Sequence, residues 1–264
     1  MIGAIIGDMV GSVYEFSNYK ATDFKPFFSP RAFFTDDTIM TVAVADGLLN
    51  DRNPQEALRD WGHRYWSNGG WGQRFAFWLA SDDPQPYDSF GNGAAMRISS
   101  VAWLSETFEE AVKNADRFTG ISHNHPEGIK AARATVAAIW WAKKGFCVED
   151  IRQGLTQAFD YDLTRTPDEI RPGYFFTEHA QKSVPEALIC ALEGNSFEEV
   201  IRLAISIGGD SDTIAAIAGS VAEARFPVPQ RFRSHAMDLL PEDMKAVVNS
   251  FYEKVDLNQK VENK

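Results

Sequence analysis

The chain is poor in the features that would tie it to a membrane, a polyanion or thiol chemistry. It has two cysteines in 264 residues, Cys147 and Cys190, with no CxxC and no Cys/His spacing around either. That excludes a disulfide framework and a cysteine-rich zinc site, and both thiols are expected to be small and buried. No apolar run approaches the ~18 residues that span a bilayer. The start MIGAIIGDMV has neither the basic flank nor the cleavage site of a secretory signal. A cytoplasmic protein with no membrane partner is the expectation. Basic residues are scarce as well, with 26 Lys and Arg against 37 Asp and Glu and a net charge of −11. Nucleic acid and anionic lipid are drawn by basic patches, so neither is an expected partner, whereas a site that gathers divalent cations fits this balance.

Alternating strands are lacking too, and the β-branched residues fall mostly at helical spacing. An all-α domain follows. Asn53-Pro54 opens PQEALRDWGHRYW, in which Ala57, Leu58, Trp61 and Tyr65 share one face. Thr107 with Glu110 and Ser196 with Glu199 read as capping boxes. His125-Pro126 starts a helix that ends near Gly145, and further helical patterns cover 4–16, 38–49, 92–105, 148–159, 185–193, 212–225, 229–240 and 242–253. The polar, aromatic-rich breaks SDDPQPYDSFGNG and TRTPDEIRPGYFFTEHA are expected to line a site rather than link domains. No tandem repeat is present, so one domain over 1–256 and a fraying charged tail over 257–264 are expected.

What stands out is the make of two helix starts. In SIGGDSDTIAAIAGS, Asp210, Ser211, Asp212 and Thr213 crowd the beginning of an apolar helix behind Gly208-Gly209. One side chain suffices to cap a first turn, so the surplus oxygens need another reason. About 170 residues upstream, FFTDDTIMTVAVADGLL repeats the arrangement with Thr35, Asp36, Asp37 and Thr38. Carboxylates and hydroxyls without Cys or His suit Mg²⁺, Mn²⁺ or Ca²⁺, and two such ends facing each other could hold a two-metal centre that orients water. Elaborate capping by the helix dipole is the plainer reading of either cluster alone.

Three further segments carry candidates. In GAIIGDMVGSVYEF, Asp8 and Glu15 lie seven residues apart, on one face if the helix runs that far, and Gly3, Gly7 and Gly11 recur at spacing four, which permits close backbone packing. In YDSFGNGAAMRIS, the Gly91, Asn92, Gly93 loop before a helix starting near Ala94 could present amides to a phosphate. Arg97 there fits an anion partner or a buried ion pair equally. In GISHNHPEGIKAA, His123 and Asn124 offer hydrogen-bonding partners, while His123 and His125 at spacing two are poorly placed as metal ligands. His63, His179 and His235 carry no pattern, and the aromatics of GGWGQRFAFWLA read as core.

Taken in order, GDMVGSVYEF, FFTDDTIMTVAVADGLL, SFGNGAAMRISSVAW with SHNHPEG, and GGDSDTIAAIAGS resemble the ADP-ribosylglycohydrolase family from near residue 1 to about 225. The resemblance implies a single compact, orthogonal multi-helix domain and two Mg²⁺ or Mn²⁺ ions. The implied metal ligands are Thr35, Asp36, Asp37, Asp210, Asp212 and Thr213, with Asp36, Glu15 and Asp212 the candidates for catalysis. It also implies an ADP-ribose site at Gly91, Asn92, Gly93, Ala94, His123 and Asn124. The acid clusters are intact, unlike those of family members that serve as lens crystallins, which favours an enzyme. The implied reaction is hydrolysis of the bond between ADP-ribose and an acceptor, foremost arginine of an ADP-ribosylated protein, with ADP-ribose as product; a monomer is the expected state. Serine-linked, O-acetyl- and nucleic-acid-linked adducts, a small ADP-ribose adduct, or non-catalytic ADP-ribose binding are the rival readings.

Overall fold

A computed structural model describes residues 1–262, the side chains of 259–262 excepted, and shows no strand among them. The helices are α1 (Ile2–Gly11), α2 (Asp36–Leu49), α3 (Pro54–Arg64), α4 (Gln73–Ala80), α5 (Gly93–Met96), α6 (Ser99–Leu104), α7 (Phe108–Thr119) and α8 (Pro126–Lys143). The chain continues through α9 (Val148–Phe159), α10 (Pro167–Ile170), α11 (Ala180–Glu193), α12 (Phe197–Ser206), α13 (Ser211–Arg225), α14 (Gln230–Leu239) and α15 (Glu242–Glu262). α15 thus carries the chain past 257 as helix, and residues 263–264 of the expected tail lie outside the described residues.

Local chemistry explains most starts and stops. Asn53 Oδ1 accepts from the amides of Gln55 at 2.9 Å and Glu56 at 3.3 Å, with Pro54 behind it. His125 Nδ1 accepts from the Glu127 amide at 3.1 Å, and Gly145 at φ +81° ends the run after α8. Of the two expected capping boxes each is half made: Thr107 and Ser196 accept from Glu110 and Glu199, but those glutamates reach back to the amides of Glu106 and Asn195, one residue early. The complete box is at Thr166 and Glu169. Cys190 is buried as expected, but Cys147 is exposed, because its thiol caps α9 by accepting from the Asp150 amide.

The interior is organised by helices that are buried all round. Every residue of α1 is buried, as are Ser211 to Ala222 of α13, the pattern of helices with no solvent face. The two run antiparallel in backbone contact. A Cβ on Gly3 would sit 2.2 Å from the Gly219 carbonyl, one on Gly7 2.0 Å from that of Ala215, and one on Gly11 2.5 Å from that of Ser211. The spacing-four glycines are therefore a seam that side chains would wedge open. α2 packs on α1, and α8, α11 and α12 pack on α13. Amphipathic α3, α7 and α12 cover this centre with their apolar faces.

Two expected helices are broken in ways that matter to function. The first stops at Gly11 and gives way to turns over 12–18, so Glu15 sits on a turn and shares no helical face with Asp8. The stretch over 92–105 divides into α5 and α6 between Met96 and Ser99. In addition, α4 follows the glycines of GGWG, and α11 starts at Ala180, five residues before its internal Pro185.

The seam gives a stability prediction. Ala is worth ~1 kcal/mol over Gly inside a helix, but a methyl 2.0 Å from a fixed carbonyl forces an overpacking shift of about 1–3 kcal/mol or more. Gly7→Ala should lower the melting midpoint by several degrees, whereas Gly173→Ala, with open space around it, should leave it nearly unchanged. A Gly7→Ala protein as stable as the parent would refute the seam.

Candidate functional site

The antiparallel seam sets the end of α1 beside the start of α13, and a carboxylate of α1 sets the start of α2 next to both. Buried Asp8 accepts from the Thr35 amide at 2.9 Å, the Thr35 hydroxyl at 2.8 Å, the Thr38 amide at 3.1 Å and the Thr38 hydroxyl at 2.5 Å. Asp8 and Thr35, whose Oγ1 accepts from the Asp37 amide at 3.3 Å, together satisfy the free end of α2. Asp36 and Asp37 are thereby released from capping. Asp37 meets the second cluster directly, since the Thr213 hydroxyl donates to its Oδ1 at 3.3 Å, while its Oδ2 is buried without a partner.

At the start of α13, Gly208 and Gly209 both stand at φ +75°, a left-handed conformation that favours glycine, so the chain can turn sharply from α12 and aim Asp210 inward. The Asn92 side-chain amide donates to Asp210 Oδ2 at 2.7 Å, and Asp212 Oδ1 accepts from the Thr213 amide at 2.9 Å. The turn bearing Glu15 is clasped to the same place. Asn18 Oδ1 accepts from the Gly209 amide at 3.2 Å, and Lys20 Nζ donates to the carbonyls of Ile207 and Tyr174 at 2.5 Å each. As a result, carboxylate oxygens of Glu15, Asp210 and Asp212 lie within 4.8 Å of one another.

These groups form one end of a cavity of about 350 Å³. Of the residues singled out in the sequence, Glu15, Asp36, Asp37, Asp210, Asp212 and Thr213 line it, as do Gly91, Asn92, Gly93 and His123. Three others do not. Ala94 is fully buried beneath it, Thr35 is turned to Asp8, and exposed Asn124 instead accepts from the Asp88 amide at 2.7 Å, bracing the loop before Ser89. The amides expected to meet a phosphate are partly taken: Gly91 donates to Ser89 Oγ at 3.2 Å and Asn92 to the Glu178 carbonyl at 2.8 Å.

The same lining also carries cationic residues, Arg74 and Arg97. Arg97 is buried, donates to the Phe118 carbonyl at 3.2 Å and to Ser122 Oγ at 2.8 Å, and Ser122 in turn meets His123 Nδ1 at 2.9 Å. Among the described residues Arg97 makes no direct ion pair with a carboxylate, although the charge of Asp36 acts on it. Exposed Arg74 lies over the Tyr87 ring, 4.9 Å from its centroid, and donates to the Tyr87 carbonyl. Sequence reasoning missed Arg74, Tyr87, Phe176 and Glu178, and it noticed Asp8 without giving it a role. The polar, aromatic loops that hold Tyr87, Phe176 and Glu178 were the available signal.

The family model for ADP-ribosylglycohydrolases matches residues 1–260. The chain belongs to the ADP-ribosylglycohydrolase family. It is thus an enzyme of the class that cleaves ADP-ribose from its adducts. Among its relatives is the ADP-ribosylarginine hydrolase Tri1 of Pseudomonas putida (strain GB-1), 25% identical over 86% of this chain and 70% of that protein. The ADP-ribosylhydrolase ARH3 of Mus musculus is 24% identical over 87% and 83%, and that of Homo sapiens 23% identical over 97% and 90%. A solved chain described as an ADP-ribosylglycohydrolase-related protein complex superposes with a TM-score of 0.73 at 23% identity, over 96% of this chain and 95% of that one. The all-α, single-domain fold is therefore that of the family.

The acidic end of this ADP-ribosylglycohydrolase is electrostatically overfull. Burial pushes Asp36 up to about 7, helped by the charge of Asp8, and Glu15 to about 7, helped by Asp210 and Asp36. Burial likewise raises Asp8 to about 6, even against the hydrogen bonds from Thr35 and Thr38. Asp37 and Asp212 are raised well above the carboxylate range by burial and by their acidic neighbours. Elsewhere in the lining, burial and then the charges of Arg97 and Arg74 hold His123 neutral, while burial lowers Arg97 to about 10.

The sign of the consequence follows from linkage. Carboxyls whose folded pKa lies above the unfolded value stabilise the fold below about pH 4, and that contribution is lost as pH rises through about 7. In a chelator, the melting midpoint should therefore fall steadily between pH 5 and pH 7.5. Asp37→Asn, which removes one charge from the cluster, should raise the midpoint at pH 7.5 and flatten the slope. A flat profile in the parent protein would count against the crowding.

Proposed function

We propose that this enzyme is a divalent-metal-dependent hydrolase that cleaves ADP-ribose from the guanidinium of arginine on a modified protein. The observation that carries the reading is the meeting of the α2 and α13 starts across one cavity, through the 3.3 Å contact of Thr213 with Asp37. The donor set fits the group. It consists of hard oxygens, it contains a buried carboxylate oxygen of Asp37 with no partner, and none of its acids has an ion pair with a protein cation among the described residues. Two charges about 5 Å apart repel by roughly 3 kcal/mol at an effective dielectric of about 20, so cations are what such a cluster lacks. Asp36, Asp37, Asp210, Asp212 and Thr213 would hold two Mg²⁺ or Mn²⁺ ions, with Thr35 fixing the Asp37 backbone. Bound there, the ions supply charge stabilisation for the ribose hydroxyls and a more acidic water.

The chain's own groups order the rest. Arg74, with Arg97 behind it, gives the diphosphate a positive end, and Asn92 and His123 flank it. The distal ribose then falls at the acidic end. There the bond from C1 to the acceptor nitrogen breaks as water oxygen bonds to C1, through an oxocarbenium-like transition state stabilised by the surrounding carboxylates. Glu15 and Asp36 are the half-buried carboxylates facing the cavity, and one of them takes the water proton and returns it to the leaving nitrogen. Asp212, fixed by the Thr213 amide, holds the cation side of the site. The naming of Tri1 for ADP-ribosylarginine supports the acceptor, since that relative and this chain align over most of both lengths.

With Mg²⁺ or Mn²⁺ at about a hundred times its Kd, binding should add about 2.7 kcal/mol and raise the melting midpoint by roughly 5–10 °C. Asp212→Ala should abolish both that rise and the release of ADP-ribose from an arginine-linked peptide. Metals that leave melting and turnover unchanged would sink the proposal. Turnover of serine-linked or O-acetyl adducts alone would reassign the acceptor, and no turnover of any adduct would leave a binding protein.

A further inference from the structure

Two phenylalanines are exposed where a soluble enzyme has least reason to expose them. Phe16, next to Glu15, is 83% exposed, and Phe176 is 44% exposed, with ring centroids 5.8 Å apart at an interplanar angle of 32°. The pair brings together the turn after α1 and the loop before α11, segments 160 residues apart in sequence, and Phe176 lines the cavity beside Glu15 and Glu178. Apolar surface held open at a cavity mouth is a mark of a contact surface.

Glu178 is the second part. Its backbone is fixed, since its carbonyl accepts from the Asn92 amide at 2.8 Å and the next two residues pair with the Phe90–Gly91 segment. Its carboxylate, however, makes no hydrogen bond or ion pair among the described residues, and it faces the cavity near Asp210. Glu15, Glu178, Asp210 and Asp212 line the same cavity as Phe176, and Arg74 and Arg97 are its basic residues. Lys20 lies 5.7 Å from the Phe175 centroid and spends its donors on the Tyr174 and Ile207 carbonyls, while Lys130 and Arg165, which line a second cavity with Phe175, Phe176 and Lys182, are paired with Glu127 and Glu186. Aromatic faces beside an unpaired carboxylate suit a planar cation, which stacks on the rings and bonds the acid along its edge.

We infer that Phe16, Phe176 and Glu178 form the acceptor subsite and that they select a guanidinium over hydroxyl- or acetyl-linked acceptors. The inference rests on the hydrolytic reading above. With the diphosphate drawn to Arg74 and the ribose at the acids, the leaving group emerges over these three side chains. A guanidinium there gains two stacking faces and a counter-charge. A serine or acetyl acceptor gains neither, so the rim contributes to the binding of one class only.

Steady-state kinetics with one peptide carrying ADP-ribose on arginine or on serine, alongside inhibition by free ADP-ribose, tests this. The double variant Phe16→Leu/Phe176→Leu keeps apolar bulk and removes both aromatic faces. It should raise KM for the arginine-linked peptide about 5- to 30-fold, with the inhibition constant of ADP-ribose changed less than twofold. Glu178→Gln should act in the same direction, and Phe16→Tyr/Phe176→Tyr should restore a KM close to the parent's. Equal shifts for arginine-linked peptide and free ADP-ribose, no shift at all, or a parent enzyme that cleaves only the serine-linked peptide would overturn the subsite while leaving hydrolysis intact. A parent enzyme that releases ADP-ribose from neither peptide would remove the hydrolytic reading itself.

Discussion

The site depends on how closely α1 and α13 approach. Three glycines of α1 let its backbone touch that of α13 at Gly219, Ala215 and Ser211, closer than any side-chain-bearing helix pair could come. The contact is antiparallel, so the last turn of one helix lies at the first turn of the other, and Asp8, one residue beyond Gly7, reaches out to hold the start of α2. Three chain ends remote in sequence are thereby brought to one point. The hydrophobic burial of α1 and α13 supplies the free energy, and the glycines decide where it is delivered.

A division of labour among carboxylates follows. Asp8 spends all its accepting capacity on four donors of Thr35 and Thr38, and because it does, the acids at the very start of α2 are left for something else. Asn92 plays a smaller version of that part for Asp210. Buried acids are tolerated in proteins when paired or hydrogen-bonded. Here Asp36, Asp37 and Asp212 are only partly so, and burial first, then their acidic neighbours, raises all three above the usual carboxylate range. The same cavity carries buried Arg97, which among the described residues has no direct ion pair and feels the charge of Asp36 only at a distance. A ligand that is anionic at one end and rich in hydroxyls at the other matches this polarity.

Much of this was legible in the sequence, for identifiable reasons. Caps such as Asn53 and His125 act within three residues, so their signals survive without a structure. The glycine spacing announced the seam, and the doubling of oxygen ligands at two apolar helix starts announced the cluster. What stayed hidden was set by tertiary contact. Nothing in GSVYEF marks the stop at Gly11, so Glu15 was placed on a helix when it stands on a turn held by Asn18 and Lys20. The loop amides of Gly91 and Asn92 looked free until Ser89 and the Glu178 carbonyl were seen to take them. Asn124 resembled a ligand group and proved a brace for the loop at Asp88. Arg74 and Glu178 acquire meaning only from the wall they complete.

The fastening at Gly208-Gly209 has a positional corollary. Asn18 and Lys20 knot the Glu15 turn, the α12–α13 corner and the Tyr174 carbonyl into a single clasp, and a Cβ on Gly208 would strike both of those side chains. Glu15 cannot swing aside unless that clasp loosens. The position of an acid at the cavity is therefore tied to the α12–α13 corner through two side chains that are themselves outside the cavity lining.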